Sequence, residues 1–416
     1  MSYLSKDSMA IILLCSNLGL NQNEPDAVTP YTMHQWNKLT ERLVQSDLHR
    51  PQAFFDTAPE DLQQKLQLTS EEAERLRRLV ARAGQVGIEL EQLESQGIYI
   101  TTRAEKNYPQ RLKDILKKNS PPLIYYSGNP RIVEGPAVAV VGSRSPDESA
   151  LSFTEKLAKQ CVRDGVTVVS GGAKGIDSAA QENALLQGGA VVSFLSEGLA
   201  KRIKYRDARE YLMAGKLLLL SAVHPKAGFT VYSAMDRNKY IYGLSDLAVV
   251  VSSDEDKGGT WAGATENLKN HWVPLFVRKE DGSPRGNDKL LHMGAIPLAR
   301  DAMTSVSIRE WIIQHERPAI KSPAIAQAQL SFHDSHVDYE YDNKIDEREG
   351  VDLLQVIWPY LERALVEPQS ITELAAIFDL REVQLNDWMD RAMNENKVRK
   401  LGNGDKYVLT THADTT

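Results

Sequence analysis

Three glycine-bearing segments of this 416-residue chain combine residue types suited to gripping an anion. The first is Gly142-Ser143-Arg144, which follows an apolar run ending at Val141 and precedes a helical pattern. At such a junction the helix N-terminus offers unpaired amides. A glycine there lets a phosphate approach the backbone, and an arginine can fork two hydrogen bonds to it. The same residues would also make a tight turn carrying a surface arginine, since the spacing of a dinucleotide fingerprint is missing. The second segment is Ser170-Gly171-Gly172-Ala173-Lys174-Gly175-Ile176-Asp177. Its three glycines permit positive dihedrals and a nest of amides, and Lys174 supplies a point charge. Asp177 is expected to cap the helix that follows rather than to touch a ligand.

The third glycine segment is Gly258-Gly259-Thr260. Just upstream, Met235 to Ser245 contributes Arg237 and Lys239, which can neutralise phosphates, and Asn238, which can bond a base edge or the backbone. Tyr240 or Tyr242 is expected to stack on a base, with one of the two belonging to the core. A further cluster, Lys201, Arg202, Lys204, Arg206 and Arg209, reads as a solvated face. Neither a nucleophile with its base nor a metal-ligand cluster is visible among the nine histidines, so no catalytic residue, metal or cofactor is expected.

These segments need a scaffold that brings loop ends together. Apolar runs at Ala137 to Val141, Val166 to Ser170, Val191 to Leu195, Leu217 to Leu220, Leu247 to Val251 and Val273 to Val277 suit strands covered on both faces. Between them, Phe153, Leu157 and Cys161, then Ile176, Ala180 and Ala184, fall on single helical faces. Strand and helix alternate as in a doubly wound α/β domain, with a parallel sheet over residues 98–315. Its loops share one edge of the sheet, where ligands of open α/β folds bind.

Residues 1–97 read as a small helical domain, helix-hairpin-helix or sterile-alpha-motif-like. Its helices are Ser8 to Asn17, Met33 to Gln45, Pro59 to Leu66 and a longer one opening with a capping box at Thr69 and Glu72. Residues 316–349, rich in proline, small polar residues and charge, read as a linker. From 350 to 412, helical patterns at Leu353 to Leu361, Ile371 to Phe378 and Val383 to Met393 precede a hairpin-like Val398 to Val408 turning at Gly402-Asn403-Gly404. That is the order of a winged helix. Its third, would-be recognition helix carries Glu382, Asp387, Asp390 and Glu395 and only the wing is basic, so it is expected to bind protein rather than a major groove.

The net charge of −7 argues against indiscriminate polyanion binding, yet residues 100–310 hold 29 Lys and Arg against 23 Asp and Glu. If the chain has a DNA-binding domain, it is therefore the middle one. No apolar run approaches a membrane span and no cleavable leader is visible, so the cytoplasm is the expected compartment. Cys15 and Cys161 lie in apolar helical patterns and read as core thiols.

Taken in order, the motifs resemble those of the DprA/Smf family. They are Tyr108-Pro109 with Leu112, Pro121-Pro122-Leu123-Ile124-Tyr125 with Gly128-Asn129, the Gly-Ser-Arg loop, the loop from Ser170 to Asp177, Gly188-Gly189, Arg237-Asn238 to Ser245, and Gly286-Asn287 through Gly294-Ala295. The resemblance implies an extended Rossmann-like fold and a homodimer that binds single-stranded DNA at the glycine-loop edge and delivers it to a RecA-type recombinase, in recombination or natural transformation. Carried over by position, Gly142, Ser143, Arg144, Ser170, Gly171, Lys174, Gly175, Asp177, Arg237, Asn238 and Lys239 would line the DNA site, with Gly258, Gly259 and Thr260 beside them. The chain departs from the family pattern at Gln181, at Ser221-Ala222, at Gly258-Gly259-Thr260-Trp261 and at Val277-Arg278. Those departures motivate a second reading, a DprA-like antitoxin or phage-defence component that neutralises a cognate toxin. A third, a Rossmann nucleotide phosphoribohydrolase, draws on Gly258-Gly259-Thr260 with Glu266 but lacks that class's motif spacing.

Overall fold

The computed structural model of the protein describes residues 4–20, 28–301, 307–315, 364–378, 382–401 and 405–410, together with Leu354, Trp358, Leu361 and Glu362. Two compact units divide the chain, one comprising Met1–Thr32, Lys38–Ser95 and Asp334–Thr416, the other Met33–Asn37 and Gln96–His333. In the first unit lie most of the helices α1 (Lys6–Cys15), α2 (Met33–Gln45), α3 (Ala53–Asp56), α4 (Pro59–Lys65), α5 (Ser70–Val80) and α6 (Ala83–Ser95). Thr69 Oγ1 accepts from the Glu72 amide at 3.1 Å and the Glu72 carboxylate accepts from the Thr69 amide at 3.0 Å, the reciprocal cap that starts α5. The single long helix expected from Thr69 is instead two. Between them the buried Arg82 donates to the carbonyls of Leu13 and Leu18.

The second unit is built on a nine-stranded sheet in the order β1-β2-β6-β5-β4-β3-β7-β8-β9. Its strands are β1 (Tyr99–Thr102), β2 (Leu123–Gly128), β3 (Ala137–Gly142), β4 (Thr167–Ser170), β5 (Val191–Leu195), β6 (Leu217–Ser221), β7 (Leu247–Ser252), β8 (Leu275–Arg278) and β9 (Ile296–Leu298). From β6 through β9 every pair is parallel. The six strands expected from the sequence, β3 to β8, are thus parallel as expected, and two strands not singled out there extend one edge, where β2 pairs antiparallel with both β1 and β6. An apolar run such as Leu123 to Tyr126 announces burial but not direction, because a strand covered on both faces reads the same either way.

Helices cover the sheet: α7 (Gln110–Leu116), α8 (Glu148–Arg163), α9 (Ile176–Leu186), α10 (Leu199–Arg202), α11 (Arg206–Met213), α12 (Val231–Asp236), α13 (Asn238–Gly243), α14 (Gly258–Asn270) and α15 (Arg285–His292). Phe153, Leu157 and Cys161 of α8 are all buried, as their spacing predicts, and burial pushes the Cys161 thiol up to about 12. Cys15 is half-buried. Strand order reverses at β3, which has β4 on one side and β7 on the other. Parallel strands that diverge in this way leave a crevice beyond their carboxyl ends.

In the C-terminal segment β10 (Gln369–Ser370), β12 (Lys406–Leu409) and β11 (Val398–Lys400) form a small antiparallel sheet. It accompanies helices Ile371–Phe378 and Glu382–Asn394, over a core that includes Leu374, Leu385, Trp388 and Met389. The expected linker, the turn at 402–404 and much of the helix expected at 353–361 lie outside the described residues. Among the described residues no helix is long and apolar enough to cross a membrane.

Candidate nucleic-acid interface

The crevice at the β3 switch point opens into a cleft of about 620 Å³. Its walls are Val141 to Ser145, Ser253, Asp254 and Lys257 to Thr260, with Ala173 and Asp177, and with residues of α12 and α13. Loops from three strand ends are knitted together around it. Thr260 Oγ1 donates to the Gly142 carbonyl at 2.9 Å, the Ser143 amide donates to Ser252 Oγ at 3.2 Å, and the Ile176 amide donates to the Ser143 carbonyl at 3.1 Å. Close approach demands glycine at two of these points. A Cβ at Gly142 would meet Ile176 at 2.6 Å, and one at Gly175, whose φ is +86°, would meet the Ser143 carbonyl at 2.3 Å.

Gly258, Gly259 and Thr260 are the first three residues of α14, and no side chain caps that helix. Its amide end, with the positive end of the helix dipole, faces the cleft. Arg237, one of the lining residues, is 7% exposed, with Nε and Nη1 both buried and lacking a hydrogen-bond partner. Its Nη2 lies 3.9 Å from Asp177 Oδ2. Burial drives the Asp177 carboxyl above its ordinary value and the Arg237 guanidinium below its own, each opposed by the other's charge. Arg144, at the mouth, stands 5.8 Å from the Phe229 ring centroid.

Of the residues singled out in the sequence, Gly142, Ser143, Arg144, Asp177, Arg237, Asn238, Gly258, Gly259 and Thr260 line this cleft. The others do not, each for a stated reason. Ser170 is buried and donates to the Val140 carbonyl at 2.7 Å. The Gly171 amide is taken by Asp177 at 3.1 Å, and Arg237 packs where a Gly171 side chain would go. Gly175 serves as the hinge into α9, and Lys174 is exposed on its loop outside the cleft wall. Lys239 is buried on α13, ion-paired with Asp236 one turn earlier, so it is spent internally rather than offered to phosphate.

Asp177 is not the cap of α9, whose cap is Gly175; it braces the preceding loop instead. Asn238 bonds backbone, donating to the Gly259 carbonyl at 3.0 Å. Both Tyr240 and Tyr242 are buried core rings, Tyr240 against Phe194 at 4.9 Å between centroids, so neither presents a face for stacking. The exposed aromatic that lines the cleft is Phe229, which no sequence signal singled out. Glu266 is exposed and absent from the cleft wall, which leaves the phosphoribohydrolase reading without its acid. Two departures from the family pattern have local explanations. Gln181 donates to Ser193 Oγ at 2.9 Å, and the buried Arg278 reaches Ser149 Oγ at 3.3 Å near the start of α8.

A doubly wound α/β domain with a cleft at the point where its strand order reverses is a Rossmann-like protein. Residues 99–306, half of the chain, match the model of the DNA recombination-mediator protein A family, and the chain belongs to it. It is similar to DNA processing protein DprA of Streptococcus pneumoniae, at 32% identity over 154 residues, 36% of this chain and 53% of that protein. It is also similar to protein Smf of Synechocystis sp., at 29% identity over 216 residues, 50% of this chain and 53% of that protein. The chain spans about half the length of these curated relatives. The X-ray structure of Streptococcus pneumoniae DprA shares the fold, with a TM-score of 0.55 at 20% identity, covering 76% of this chain and all of that one.

Proposed function

We propose that this protein binds single-stranded DNA in the switch-point cleft, as a recombination mediator without turnover that protects the strand and hands it to a RecA-type recombinase. The lining of the cleft carries the reading, since Arg144, Arg237 and Lys257 stand there with the uncapped amide start of α14, a combination that favours an anion. Membership of the DNA recombination-mediator protein A family supports the same partner. In this reading the chain is a homodimer in the cytoplasm, with a helical domain at 1–97, the binding domain at 98–315, a linker at 316–349 and a winged helix at 350–412. That last domain engages protein.

Fluorescence polarisation of labelled oligo-dT with the full chain tests it. Charge reversal of Arg144 together with Lys174 is expected to abolish binding, and unchanged affinity in that double variant would overturn the reading. The single variants separate the two cations. Arg144→Glu carries most of the loss because it lines the cleft, whereas Lys174→Glu costs about threefold or less as a screened surface charge.

A further inference from the structure

The β1–β2 edge of the sheet carries a concentration of charge that the cleft does not use. Residues 103–118 hold six Lys and Arg against Glu105 and Asp114. Arg111 is paired with Asp246, and Asp114 accepts from Gln110 at 2.7 Å. Lys106, Lys117 and Lys118 are exposed, and among the described residues no carboxylate stands within ion-pair distance of any of them. Arg103, just after β1, is buried, and its guanidinium donates to the carbonyls of Ser120 and, at 3.1 Å, of Lys118. Asn37 Nδ2 donates to the same Lys118 carbonyl at 2.9 Å. That clamp holds Lys117 at a φ of +51° and a ψ of −123°. A residue with a Cβ is strained there, and such strain persists only where the surroundings over-determine it. Beside the turn, Lys113 is half-buried and donates to the Arg103 carbonyl at 3.3 Å, so burial and then the Arg103 charge press its ammonium toward the neutral form. Like charges crowded around a strained turn repel one another, and an external polyanion relieves that repulsion.

The patch stands at the same end of the sheet as the cleft. Thr102, the last residue of β1, pairs with Leu123, and Tyr125 of β2 pairs with Ser221 at the carboxyl end of β6. Five strand spacings of about 4.8 Å separate β1 from β3, roughly 24 Å. One layer of helices joins the two places. Asn238 in the cleft wall starts α13, which ends at Gly243, where an added Cβ would meet Leu112 of α7 at 2.7 Å. We propose that Lys106, Lys117 and Lys118 form a second anchorage for single-stranded DNA, a phosphate-backbone surface at the β1–β2 edge that engages the strand after it has left the cleft. The proposal rests on the strand-binding reading for its ligand and adds a surface built from residues outside the cleft. Lysine is a point charge on a flexible stem, so this surface holds phosphates without reading bases. A strand that reaches both places is longer than one held by the cleft alone, and linking the two contacts raises the affinity of the whole.

Strand length is the discriminating variable. Polarisation titrations of the full chain compare labelled oligo-dT of about 5 and about 25 nucleotides, which bracket the roughly 4–16 nucleotides that single-strand grooves cover. The combined variant Lys106→Gln, Lys117→Gln, Lys118→Gln is expected to weaken the long strand about tenfold and to lower the magnitude of its log–log salt slope by about 2, three phosphates at about 0.7 each. The short strand is expected to bind the variant as it binds the parent. Lys117→Gly separates strain from function. It is expected to raise Tm by freeing the turn of its side chain, while weakening the long strand about threefold. A long strand whose affinity and slope are the same in parent and triple variant, or an equal loss for both lengths, overturns the second anchorage and leaves binding in the cleft standing. Failure of both lengths to bind the parent overturns the strand-binding reading as well.

Discussion

Asp177 and Arg237 face each other across the floor of the cleft with Oδ2 and Nη2 3.9 Å apart and both side chains 8% exposed. That distance compensates charge without consuming a donor. The Asp177 carboxylate spends its hydrogen bonding on the Gly171 amide, and the guanidinium keeps two nitrogens unengaged. Burying such a pair costs both partners their hydration, which their mutual attraction offsets only in part.

Asp177 therefore has a pH consequence. Its folded carboxyl titrates above the ordinary 3.8 because burial outweighs the pull of Arg237 and of the loop amides. A group raised in this way contributes stability that is fully present below the unfolded value and lost as pH rises through the folded one. Asp177→Asn, which keeps an acceptor for the Gly171 amide, is expected to gain stability relative to the parent as pH rises above about 4. Urea midpoints of both proteins between pH 4 and pH 7 check it. The same variant should bind oligo-dT more tightly, by about 1 kcal/mol or roughly fivefold, since a neighbouring negative charge is gone.

Gly175→Ala tests the knit of the loops. The substitution places a Cβ 2.3 Å from the Ser143 carbonyl at a φ of +86°. A destabilisation of about 2–4 kcal/mol is expected by thermal or urea denaturation, from backbone strain plus displacement of the Ser143 to Arg144 turn. Oligo-dT affinity should fall with it, because that turn carries Arg144.

Arg278 ends β8 fully buried, 3.5 Å from Glu280 and 3.9 Å from Asp147, while Glu280 also holds Arg300 at 2.6 Å. Removing one partner of a buried pair is costly when the other is left without a close counter-charge; without Arg278, Glu280 keeps Arg300, whereas without Glu280 the buried Arg278 keeps only Asp147 at 3.9 Å. Arg278→Met is thus expected to change stability by less than about 1.5 kcal/mol and Glu280→Ala to cost about 3 kcal/mol, read from denaturation midpoints.

The basic residues of the C-terminal hairpin are largely engaged. Lys406 pairs with Glu373 at 3.2 Å, Lys397 with Glu395 at 2.6 Å and Lys400 reaches Asp405 at 4.0 Å. Helix residues Glu382 and Asp390 are exposed nearby in sequence. Residues 350–410 alone are expected to give no shift of duplex DNA in a low-salt gel, and tight duplex binding there would refute a protein-binding role.

Much of the scaffold is legible without coordinates. Six apolar runs locate β3 through β8 to within a residue or two, because strands covered on both faces must be apolar throughout. The Thr69–Glu72 and Ser370–Glu373 caps are local too, each closing over three residues. Glycines that turn the chain at strand ends mark the edge where a ligand can approach. Tertiary structure decided the rest, since it depends on partners distant in sequence. The reversed direction of β2 follows from its pairing with β6, almost a hundred residues on. Lys239 and Arg237 are both cations two positions apart, yet one turns into an ion pair with Asp236 and the other enters the cleft opposite Asp177. Residue type states which charges a segment owns; packing decides which of them are already spent, and so which remain for a ligand.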